Sequence, residues 1–237
     1  MTLNDLVKMI SETGINENNV QLIDDGGWDV DLRYEIMPDD FIKYAELDLN
    51  THSTQGLINA LSNAKRAIDC RTDLILDYLG INLRLVKKDK YEILNYIGIV
   101  APRIINKIRK ARNLLEHEYV KPDKTIVEDA IDVAILFEAA AKNIFKLFPE
   151  VVYVGNQEKG DSKNYDIFNT YISIIYKNNT FRLISVANDV KKEEGKCTIE
   201  DTELYMMLLK IYIAAKNQSN ETESVNELFD KLKSIDR

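Results

Sequence analysis

Apolar positions along this chain change period twice, and the longest run has the period of a helix. In "TQGLINALSNAKRAIDCRTDLILDYLG" the residues Leu57, Leu61, Ala64, Ile68, Ile75 and Leu79 recur at spacings of three, four and seven. That is one stripe of a long amphipathic helix, with Gly80 as a natural stop. "KYEILNYIGIVA" predicts a second helix, and Pro102 either kinks it or opens the next one. "RIINKIRKARNLLEHEY" places Ile104, Ile108, Ala111 and Leu115 on one face. After "VKPDK", Thr125 and Glu128 stand at capping-box spacing, and Ile126, Ala130, Val133, Phe137, Ala140, Ile144 and Phe148 continue the pattern. Four amphipathic helices with short connections over residues 39–148 pack most simply as a bundle.

The flanks read differently. Residues 1–38 hold a short helical pattern and then "VQLIDDGGWDVDLRYEIMP", whose Asp-Gly-Gly turn signal predicts a small hairpin. From Pro149 onward "VVYV", "TYISIIYK" and "TFRLISVA" are rich in β-branched and aromatic residues, and Asn178-Asn179 suits a tight turn between the last two. A helix, "ELYMMLLKIYIAAKN", and a charged tail follow, with no solenoid repeat anywhere. The expected fold is therefore mainly α: a helical bundle over 39–148, an N-terminal helix and hairpin over 1–38, and a small α+β appendage over 149–237.

Composition narrows the class. The 237 residues are 45% apolar and 30% charged, which describes a globular chain able to bury a core. A formal net charge of −8 argues against a protein that coats nucleic acid over its whole surface, so the location of positive charge matters more than its sum. Cys70 and Cys197 lack paired Cys/His spacing, which disfavours zinc and suits buried free thiols. The start has no signal-peptide run, and no stretch reaches the roughly 18 apolar residues of a membrane span. The reading is a cytoplasmic protein with no metal and no cofactor.

Familiar catalytic motifs are missing: there is no P-loop, no GxSxG elbow, no HExxH and no dinucleotide fingerprint. Asp29 and Asp31 form a "DVD" carboxylate pair without the Gly-Ser element that precedes such a pair in nucleotidyltransferases, and His52 reads as a surface residue. Val100 to Leu115 is different. It holds Arg103, Lys107, Arg109, Lys110 and Arg112 and no acid, a local positive field able to hold a phosphate backbone.

Two readings compete for "RNLLEHEY". Arg112 and Glu116 stand at i, i+4 and make an ordinary surface ion pair at a helix end, where His117 is welcome near the negative pole of the dipole. Alternatively Asn113, at i, i+4 from His117, orients the imidazole. On a continuous helix Arg112 and His117 would lie roughly 140° apart, so joint action needs the backbone to leave its regular path before Pro122.

The Arg-Asn-x-x-x-His spacing of Arg112, Asn113 and His117 resembles the motif of the HEPN superfamily (higher eukaryotes and prokaryotes nucleotide-binding). With Tyr119 it becomes Arg-x4-His-x-Tyr, similar to HEPN toxins paired with minimal nucleotidyltransferases. The resemblance covers roughly residues 39 to 148 and implies a HEPN-like four-helix bundle. It implies metal-independent RNA cleavage in a cleft between two subunits, in a toxin-antitoxin or antiviral defence role. Arg112 and His117 would then carry catalysis, with Asn113 and Tyr119 in support, and Arg103, Lys107, Arg109 and Lys110 would grip RNA. The implied partners are RNA, a second copy of the chain, and an antitoxin or nucleotidyltransferase. Some members of the superfamily only bind nucleotide or RNA, or act as scaffolds, and the acidic total charge fits that alternative.

Overall fold

The computed structural model of the chain describes residues 1–16, 18–99, 120–156, 170–188, 190–217 and 229–230. In chain order the elements are α1 (Leu3–Thr13), β1 (Val20–Asp25), α2 (Pro38–Leu49), α3 (Thr54–Tyr78), α4 (Leu83–Val86), α5 (Lys90–Tyr96), α6 (Lys124–Phe145), β2 (Val151–Asn156), β3 (Thr170–Lys177), β4 (Thr180–Ala187), β5 (Val190–Thr198) and α7 (Thr202–Asn217). They fall into two compact units, one of Met1–Val30, Asn82–Lys87 and Leu147–Arg237, the other of Asp31–Ile81 and Lys88–Lys146.

The first unit is built on a five-stranded sheet in the order β1-β2-β3-β4-β5, with every neighbour antiparallel. Cross-strand partners share a face, so register assigns the inner side: Leu22, Val154, Ile172 and Ser185 form one row, Val152, Ile174 and Leu183 the next. α7 covers this side with Tyr205 and Tyr212, whose rings meet Phe181 at centroid distances of 5.1 and 5.8 Å. The Tyr212 hydroxyl sits inside this aromatic core and donates to the Glu150 carbonyl at 2.9 Å, which satisfies a polar group that would be costly to bury alone. α1 covers the same side, capped by Thr2 in a capping box with Asp5, and its Lys8 reaches Glu193 at 2.5 Å. Asn178 and Asn179 turn β3 into β4 at φ 49° and 56°, the left-handed pair that a two-residue hairpin requires.

This sheet overturns the mainly helical expectation, including the HEPN-like four-helix bundle with an appendage as a description of the chain. The described residues are 54% helical and 21% strand, an α+β fold. The local hairpin expected around Asp-Gly-Gly does not form, since β1 pairs with β2, from Val20↔Asn156 to Asp25↔Val151. Gly26 and Gly27 lead the chain out of β1 at φ 67° and 146°, and Trp28 then bridges Phe148. A Cβ on Gly27 would stand 3.0 Å from the Leu147 carbonyl oxygen, so the close approach also requires glycine. Phe148 accordingly ends no helix: it is fully buried in the aromatic core of the sheet. β5, "VKKEEGKCT", is an edge strand with too few apolar residues to announce itself, and its charges suit an edge.

In the second unit α2, α3 and α6 pack on one another. The predicted α3 stripe is present: Leu61, Ala64, Ile68, Ile75 and Leu79 are buried and Leu57 is half-buried. Ser53 caps the helix by accepting from the Gly56 N–H at 2.9 Å. A Cβ on Gly56 would stand 2.3 Å from the Asp48 carbonyl oxygen, so only glycine lets α2 and α3 meet this closely at their corner. α6 begins two residues earlier than the Thr125/Glu128 spacing suggested, because Asp123 accepts from the Thr125 N–H at 2.8 Å and is the cap. Its buried face shifts as well, to Val127, Ala130, Ile131, Ala134, Phe137, Glu138, Ala141, Ile144 and Phe145, leaving Ile126 and Ala140 exposed.

Candidate functional site

Arg103, Lys107, Arg109, Lys110, Arg112, Asn113, His117 and Tyr119 all lie outside the described residues. What the structure describes is the pair of helices that bound their segment, α5 before it and α6 after it, both in the helical unit.

α5 is held to α3 by a polar cluster centred on Asp69. Lys90 Nζ lies 3.0 Å from both Asp69 Oδ1 and Asp73 Oδ1, and Asp69 also accepts from the Lys65 ammonium and the Tyr91 hydroxyl. Burial alone would raise the Asp69 carboxyl. The hydrogen bonds from Lys65, Tyr91 and Lys90 outweigh it and hold the group below its ordinary value. Lys90 is pushed up for the complementary reason: its burial is outweighed by Asp69 and Asp73. Asp89 starts the helix with a capping box to Glu92 and accepts from the Tyr91 N–H at 2.9 Å.

α6 is fixed through a buried pair. Arg71 of α3 meets Glu138 in two parallel bonds, Nε to Oε2 at 2.6 Å and Nη2 to Oε1 at 2.5 Å, with both side chains almost fully removed from water. Lys142 extends the chain outward, 3.2 Å from Glu138 and 2.5 Å from Asp39 of α2. One ionic path thus joins the three long helices of the unit. Periodicity missed this pair, since Arg71 and Glu138 occupy buried stripe positions where an apolar residue was expected. The signal was present as a lone acid among the alanines of "LFEAAAKN".

The remaining candidates separate rather than converge. Asp29 accepts from the Leu147 N–H and Asp31 pairs with Arg33, so the "DVD" carboxylates serve different partners. No group of three or more His, Cys, Asp and Glu that could hold a metal occurs among the described residues. His52 is exposed at the α2–α3 corner with φ 54°. Cys70 is half-buried, and burial drives the Cys197 thiol up to about 12. A cleft of about 450 Å³ between α1 and β5 is lined by Asp5, Lys8, Glu193, Glu194 and Lys196, of which the first four are already engaged by Thr2, by each other and by Arg182 and Lys191. Among the described residues no helix is long and apolar enough to cross a membrane.

No protein-family model, curated protein or solved structure matches this chain.

Proposed function

We propose that the chain is a metal-independent endoribonuclease of HEPN type, acting through Arg112 and His117 in a toxin-antitoxin or antiviral defence role in the cytoplasm. The observation that carries the reading is the acid-free run from Val100 to Leu115, with five cations leading into Arg112, Asn113, His117 and Tyr119. Its placement between two capped helices of a helical unit supports it.

The chemistry follows from the residue types. A ribose 2'-hydroxyl attacks the adjacent phosphorus while His117 takes its proton, and the 5'-oxygen leaves with a proton supplied to it. The products are a 2',3'-cyclic phosphate and a 5'-hydroxyl. Arg112 neutralises the charge that gathers on the non-bridging oxygens, and Asn113 orients the imidazole. One histidine serves one end of an in-line displacement, so His117 of a second copy serves the other and the working form is a homodimer. Arg103, Lys107, Arg109 and Lys110 hold the RNA backbone, with a matching loss of affinity as salt rises. Tyr119 stands where a nucleotidyltransferase partner would silence the site, because an added nucleotide sets a bulky anion beside Arg112.

The test is incubation of the purified protein with total RNA in the presence of chelator. Cleavage leaving 2',3'-cyclic ends is expected. Tight binding with intact RNA would replace the enzyme by a binding module.

A further inference from the structure

We draw no further inference here: the strongest candidate, the half-buried apolar patch of Tyr153, Tyr171, Ile175, Ile184 and Val186 on the outer face of the five-stranded sheet, carries nothing because nothing among the described residues shows what covers it.

Discussion

The backbone N–H of Leu147 donates to the Asp29 carboxylate at 2.9 Å, and it does so from a left-handed backbone with φ 50°. Leucine in that region costs about 1 kcal/mol, and the conformation persists because neighbours over-determine it. Those neighbours are the Trp28–Phe148 bridge, with paired bonds of 3.1 and 2.9 Å, and the close pass of Gly27 under the Leu147 carbonyl. Asp29→Ala should therefore cost about 1 kcal/mol in urea unfolding. Leu147→Gly should gain about 0.5 kcal/mol, the relieved strain less the chain entropy that glycine adds, because the leucine side chain is exposed and little burial goes with it. A loss on Leu147→Gly would mean that the side chain itself holds the turn.

The Arg71–Glu138 pair should behave as a buried unit. Removing Glu138 leaves Arg71 stranded between α3 and α6, a change that costs about 3–5 kcal/mol, whereas removing Arg71 leaves Glu138 its contact with Lys142 and should cost less. Arg71→Met combined with Glu138→Leu removes both charges and keeps the volume, so it should recover most of that loss. Denaturant unfolding of the two singles and the double closes the cycle. Strictly additive losses would show that packing, and not the ion pair, was at stake.

The Asp69 cluster predicts a pH window. The Asp69 carboxyl is held below its unfolded value, so its contribution is present above about pH 4 and is lost as pH falls through the lowered folded value. Lys90 is raised, so its contribution is present below about pH 10 and is lost as pH climbs through the raised folded value. Thermal melts across pH should fall off at both ends, and Asp69→Asn should flatten the acid limb while lowering the plateau. An acid limb that Asp69→Asn leaves unchanged would assign it to other carboxylates.

How much of this was legible depends on whether the signal was local. The α3 stripe and the β3–β4 hairpin could be read because each announces itself within a few residues: Leu61, Ile68 and Ile75 by spacing, Asn178-Asn179 by turn chemistry. The sheet as a whole could not. The partner of β1 stands far along the chain, with a helical unit between, and Asp-Gly-Gly signals a turn without saying that the next strand is elsewhere. β5 escaped because an edge strand is charged where a central one is apolar. Reading β1 as a local hairpin and missing β5 is what made the chain look mainly helical. The buried Arg71–Glu138 pair was hidden by the rule that stripe positions are apolar, a rule that holds until two opposite charges can satisfy each other. For the proposed site, residue types and spacing were legible as chemistry, whereas the arrangement of Arg112 and His117 depends on a backbone path that spacing does not encode.

His117 separates that chemistry from an ordinary helix end. If the residue only sits near a helix dipole, His117→Ala costs at most about 1 kcal/mol of stability and leaves any RNA-directed activity intact. If it moves a proton, the same change lowers cleavage roughly a hundredfold or more while melting temperature and oligomeric state hardly change. Arg112→Ala should lose cleavage similarly and also weaken RNA binding, because a phosphate contact goes with it. Lys107→Ala removes one cation from the same run and should show only a modest effect that fades as salt rises. Single-turnover cleavage and filter binding at two salt concentrations measure all four proteins together. Equal losses for the three variants would make the run an electrostatic grip and the chain a binding module, because only a proton-transfer group distinguishes His117 from its basic neighbours.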